Sequence, residues 1–170
     1  CRSAVWPRVG PQPVLAVGAA PEREGLLRII ASIPGRTPEH EAVARASEEK
    51  ADVILVDMHA EATSDKYLML HHLKGRVAAV FGTHTHVQTA DEQILAGTAF
   101  VCDVGMTGPF DSVLGRRIDR LLSTAIDFVP TMFDVATGDV RLAGAIVDVD
   151  PRSGKATAIK RVMVREGEAG

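Results

Sequence analysis

Cysteine is nearly missing from this chain. Its 170 residues include only Cys1 and Cys102, which form no disulfide framework. Both read as thiols of a reducing compartment, so the cytoplasm is the expected location. Aromatic residues are also scarce, with one Trp, one Tyr and five Phe, which removes the stacking platforms that single-strand nucleic-acid binders use. Neither sign of charge dominates. Nineteen basic against 22 acidic residues leave a net charge of −3, with no broad positive field to draw in duplex nucleic acid or anionic lipid. No apolar run is long enough to cross a bilayer. Nothing at the start reads as a signal peptide. The chain opens Cys-Arg-Ser without a methionine, and the expectation is a portion of a longer protein. The remaining composition is ordinary: 46% hydrophobic residues in a length that suits one domain with a substantial core.

Proline and glycine punctuate the order of elements. Residues 1–35 read as an irregular lead-in, with a short strand at 14–17 and a helix from Pro21 to Ile33 on the spacing of Leu26, Leu27, Ile29 and Ile30. Residues 36–165 form the main domain and 166–170 a tail. Thr37 and Pro38 start a helix running to Lys50. A buried strand is expected at 52–58, then a helix capped by Thr63 or Ser64 and ending at Leu73, then a second strand at 76–81. This β-α-β order implies a parallel pair, with functional groups collecting at the carboxyl ends of its strands. A hairpin follows (93–95 and 98–101, Gly97 in the turn), then a glycine-rich loop and a helix over 116–125. Two antiparallel strands, 140–149 and 156–164, make the carboxyl-terminal end β-rich. The fold class is α/β.

The chemistry gathers at Val77-Ala-Ala-Val-Phe-Gly-Thr-His-Thr-His-Val87. An apolar run is broken by glycine and followed by two histidines one residue apart. In extended backbone, residues i and i+2 point to the same side, so His84 and His86 are expected to face one volume. His59 ends the neighbouring strand. Neutral imidazoles so placed suit a transition-metal ion. Asp57 and Glu61, two residues either side of His59, and Asp103 are candidates for orienting those imidazoles. Glycine permits close approach of backbone to a phosphate, which makes Gly105, Thr107 and Gly108 the substrate-loop candidates. Ser64 and Ser112 have no Gly-x-Ser-x-Gly elbow around them.

Three blocks, Val56-Asp-Met-His-Ala-Glu-Ala-Thr-Ser-Asp-Lys66, Gly75-Arg-Val-Ala-Ala-Val-Phe-Gly-Thr-His-Thr-His-Val87 and Asp103-Val-Gly-Met-Thr-Gly-Pro-Phe-Asp-Ser112, together resemble the YmdB-like branch of the calcineurin-like metallophosphoesterases. The likeness runs from about residue 38 to 164. It implies a layered α/β/β/α sandwich, incomplete in this chain, and a bacterial phosphodiesterase acting on small phosphodiesters, 2′,3′-cyclic nucleotides above all. It implies two metal ions, iron or manganese, with His59 and His84 on one and His86 on the other. A homo-oligomer is a possible assembly that no residue here requires. The family's further ligands, an aspartate after the first strand, an acidic residue and an asparagine followed by a histidine, have no match in residues 1–50. The acid that protonates the leaving group is therefore expected in an amino-terminal half outside this chain. The alternative is a non-catalytic or degenerate α/β module that binds a nucleotide or partner and holds at most one metal.

Overall fold

Short apolar runs rich in β-branched residues, bounded by charge or glycine, favour buried strands over helices, and two such runs organise this domain. The structure, a computed structural model, describes residues 27–30 and 51–168. In chain order its elements are β1 (Leu27–Ile30), β2 (Val53–His59), α1 (Thr63–Leu73), β3 (Ala79–Thr83), β4 (Gln93–Leu95), β5 (Thr98–Val101), β6 (Gly108–Pro109), α2 (Ile118–Asp127), β7 (Val140–Asp150) and β8 (Lys155–Arg165). One sheet has the order β1-β2-β3-β5-β4, parallel except for its edge strand β4. The other is the antiparallel sheet β6-β7-β8.

The expected β-α-β unit, the 93–101 hairpin and the carboxyl-terminal pair are all present, although the second strand of that unit runs over Ala79–Thr83 and not over 76–81. Three further expectations need correction. The helix over 21–33 gives way at Leu27–Ile30 to a strand paired in parallel with β2. A short apolar cluster fits either period, and sheet pairing decided between them. The rest of that helix, the strand at 14–17 and the helix at 37–50 fall outside the described residues. Neither Thr63 nor Ser64 caps α1: its N-cap is Ala62, with no side-chain cap. The second helix runs from Ile118, two residues later than expected. It ends at Phe128 in a left-handed conformation (φ 56°), with the Phe128 N–H on the Thr124 carbonyl.

Alternation along the strands sends residues to two cores. Ile54, Val56, Val80 and Phe100 meet Met69, Leu70 and Leu73 of α1 on one face. Ala79, Ala99, Leu55 and Phe81 meet Val147, Ile159 and Ala156 of the second sheet on the other. Small residues at 79 and 99 let the two sheets approach closely. Burying each large apolar side chain contributes about 1.5–3 kcal/mol, so the face under α1 dominates the described core. The order is helix, sheet, sheet. In contrast α2 buries none of its residues, and Ile118, Leu122 and Ile126 on it are exposed. Gln88, in the loop between β3 and β4, fastens that loop to the second sheet: its Nε2 lies 2.9 Å from the Gly144 carbonyl oxygen on β7 and 3.1 Å from that of Val162 on β8.

A polar link ties α1 to the loop before β4. Tyr67 donates its hydroxyl to Asp91 at 2.7 Å, and Asp91 also accepts from Thr89 and from the Cys102 N–H. The Asp91 bond first, and burial second, push the Tyr67 phenol up to about 12. Burial of Asp91 opposes ionisation, but its hydrogen bonds from Thr89, Tyr67 and Cys102 hold the carboxyl below the usual range. A depressed carboxyl adds stability above its unfolded value that is lost as pH falls through the native one; a raised phenol adds stability that is lost only above pH 10. Tyr67→Phe is therefore expected to cost about 1 kcal/mol at neutral pH and to move the acid-unfolding midpoint upward. Urea melts across pH 3–7 check this; a midpoint that stays put would show that Tyr67 does not help ionise Asp91.

Candidate metal centre

Parallel pairing of β2 with β3 sets Asp57 beside Phe81 and His59 beside Thr83. Both strands turn their odd-numbered residues to the same face, so Asp57, His59 and Thr83 emerge together at the carboxyl ends. Thr83 donates its hydroxyl to Asp57 Oδ1 at 3.0 Å, and its oxygen lies 3.1 Å from His59 Nδ1. With that hydrogen committed to Asp57, the threonine oxygen accepts from His59 Nδ1–H. The tautomer follows: His59 Nε2 carries the lone pair. Burial pushes the Asp57 carboxyl above the usual carboxylate range, against the Thr83 hydrogen bond.

His59 Nε2 faces His84 Nδ1 at 3.3 Å, with the rings edge to face. Two nitrogens about 2.1 Å from one ion, at 90–110° to each other, would lie roughly 3.0–3.4 Å apart. The pair fits one transition-metal ion. His86 is elsewhere. Its Nδ1 lies 3.3 Å from the Leu114 carbonyl oxygen, an arrangement that leaves the Nε2 lone pair facing outward from that contact.

The expectation that residues 84 and 86 share a side through extended backbone is corrected here. His84 has φ 131° and His86 φ 64°, a region that residues with a Cβ rarely occupy and that often marks functional segments. β3 has already ended at Thr83, so strand alternation no longer applies. All three rings are exposed. Among the described residues, no group of three or more His, Cys, Asp or Glu side chains gathers around one point.

The other candidates separate. Asp57 reaches His59 through Thr83. Glu61 is exposed between β2 and α1. Asp103 is fully buried and bonds chiefly to the backbone. It accepts the Thr85 N–H at 2.8 Å and the Gly105 N–H at 2.9 Å, and pairs with Lys66 Nζ at 3.3 Å. Gly105 is thus a packing glycine at φ 84°, where a Cβ would lie 2.9 Å from that of Ala143. Its N–H is already bonded to Asp103 and does not point at an incoming phosphate. Thr107 is exposed, and Gly108 pairs with Arg141 as part of β6. Thr83 and Lys66 are the site residues that sequence reasoning passed over. Nothing local marks Thr83, because only the strand register brings it between Asp57 and His59. Lys66 did leave a signal: it holds the first place of the stripe 66, 69, 70, 73, a core-facing spacing.

Residues 36–162 match the family model described as YmdB-like protein. The chain belongs to the YmdB-like family. A 2′,3′-cyclic-nucleotide 2′-phosphodiesterase of Bacillus subtilis (strain 168) is 42% identical over 127 residues, which are 74% of this chain and 48% of that protein. Two solved structures superpose with TM-score 0.71 over 82% of this chain: a hypothetical protein from Thermus thermophilus, 35% identical, of which 56% is covered, and a novel phosphatase from Mycoplasma pneumoniae, 30% identical, of which 53% is covered. This YmdB-like chain spans about half the length of the relatives it matches. His59, His84, His86, Lys66 and Asp103 all fall inside the matched stretch.

Proposed function

We propose that this chain supplies part of the active site of a metal-dependent phosphodiesterase, and that its substrate is a small phosphodiester of the 2′,3′-cyclic-nucleotide class. The support for substrate class is the activity named in the Bacillus subtilis relative. The observation that carries the chemistry is the approach of His59 Nε2 to His84 Nδ1, with the back of His59 held by Thr83 and Asp57. In this reading His59 and His84 hold one ion, of the iron or manganese type, and His86 contributes to a second through Nε2. Bound metal supplies Lewis acidity toward phosphate oxygens and an activated water at neutral pH. The chain's own part is positional. Asp57 and Thr83 keep His59 in one tautomer, and the Leu114 carbonyl orients His86. Exposure of all three rings leaves the site open to a substrate arriving from solvent. The remaining ligands and the acid for the leaving group come from residues beyond this set.

The experiment is hydrolysis of 2′,3′-cyclic AMP with Mn²⁺, using the chain joined to the rest of a full-length family member, together with a count of bound manganese. Metal-dependent hydrolysis with two ions per full-length chain is expected. Absence of metal-dependent turnover would sink this reading. A second reading, a binding module with at most one metal, draws on the pairing of only two imidazoles among the described residues. Two tightly held ions in the 170-residue chain alone would exclude it.

A further inference from the structure

Lys66 is the side chain in the described core that packing does least to explain. It occupies a core-facing position on α1 with 1% of its surface exposed, in line with Met69, Leu70 and Leu73. Its stem lies against β3, where a Cβ on Gly82 would be 2.8 Å from Lys66 Cδ. Its ammonium meets Asp103 Oδ2 at 3.3 Å, and both side chains are 1% exposed. Stability does not account for such a pair. Removing both charges from water costs about as much as their attraction returns, and apolar residues of similar volume commonly do as well or better.

The carboxylate's other contacts are more informative. Oδ2 accepts the N–H of Thr85, the residue between His84 and His86, and Oδ1 accepts the N–H of Gly105 in the glycine-rich loop. One buried side chain thus fastens both segments that follow the strand tips. The two N–H groups reach different oxygens, and asparagine has only one acceptor atom, so its NH₂ would face one of the two donors. Two acceptor oxygens require a carboxylate, and a carboxylate buried here requires a cation. Lys66 is that cation.

We propose that Asp103 and Lys66 are the positioning residues of the histidine site. Asp103 holds the Thr85 amide, and with it the positive-φ backbone on either side, in the conformation that presents His84 to His59 and turns His86 away. Lys66 balances the charge of Asp103 inside the core. The proposal rests on the metal-binding reading of His59 and His84; neither Asp103 nor Lys66 touches metal or substrate.

Co²⁺ alone is the probe, followed by its visible absorption, with thermal melts in parallel. Lys66→Met and Asp103→Asn each leave one polar partner buried and are expected to melt early. The double variant removes both charges and is expected to recover most of the melting temperature. Its Co²⁺ affinity should nevertheless stay about 10–100-fold weaker, a loss of the size that follows when a ligand is no longer held in orientation, with an altered absorption band. A double variant that binds Co²⁺ with wild-type affinity and spectrum would overturn the proposal and leave the pair a purely structural feature. If the double variant does not fold, the unmodified protein decides: the Thr85 and Gly105 amides should exchange with D₂O among the slow ones, and exchange at the rate of open loop amides would overturn the proposal. His59→Ala and His84→Ala separate the two claims. If those variants bind Co²⁺ as the wild type does, the metal-site reading itself fails, and the positioning claim with it.

Discussion

Gly82→Ala should destabilise the domain by on the order of 3–5 kcal/mol, the range of the severest single substitutions. Gly82 lies within β3, against the backbone that follows β5. A Cβ there would sit 1.7 Å from the Cys102 carbonyl oxygen, 2.5 Å from its carbon and 2.8 Å from Lys66 Cδ. The first two are backbone atoms and cannot swing aside like a flexible side chain. Relief requires the backbone beyond β5 to move away from β3, yet the Val104 N–H donates to the Gly82 carbonyl at 3.0 Å. The same movement would drag Asp103, the residue after Cys102, away from Thr85. Folding and site geometry should therefore fail together. Urea unfolding measures the first and Co²⁺ titration the second. A variant within about 1 kcal/mol of wild type, the size of an ordinary substitution, would mean that the backbone after β5 yields readily and that Gly82 is not sterically required. The reading of this glycine as the break after the strand is thereby revised: it is part of β3, and steric exclusion of any side chain accounts for it.

His84→Ala and His86→Ala should both abolish metal-dependent hydrolysis in a full-length enzyme, but they should differ in what the protein still binds. His84 shares its approach with His59, whereas His86 leans on the Leu114 carbonyl. Removing His84 leaves His59 as the lone described imidazole of that pair, and Co²⁺ binding should weaken by more than the ~10–100-fold typical of an outer-shell change. Removing His86 leaves the His59–His84 pair whole, and one Co²⁺ should still bind with near wild-type affinity. Titration of the two variants side by side is the measurement. Equal losses in both would show that all three rings serve one ion. No loss in either would remove the basis for a metal centre here.

How much was legible beforehand depends on the range over which each determinant acts. The parallel β2–β3 unit, the 93–101 hairpin and the long β7–β8 pair were all visible, because each rests on local periodicity and on turn residues such as Gly97 and Gly154. The placement of His59 at a strand tip followed from the same pattern. At Leu27–Ile30 local information ran out. Four residues cannot distinguish a helical period from a strand, and pairing with β2, distant in sequence, made the choice. The family, too, was evident from three spaced blocks, because a motif survives in the letters even where its geometry does not.

The sequence by itself determined which side chains were available for chemistry and which strands would carry them to a common end of the sheet. Tertiary structure alone decided how those side chains divide: His84 toward His59, His86 toward Leu114, and Asp103 onto backbone amides. The reason is that strand alternation stops with the strand. Beyond Thr83 the chain takes positive φ values set by a buried carboxylate and a lysine on the opposite helix, contacts between residues 18 and 37 positions apart that no local pattern encodes.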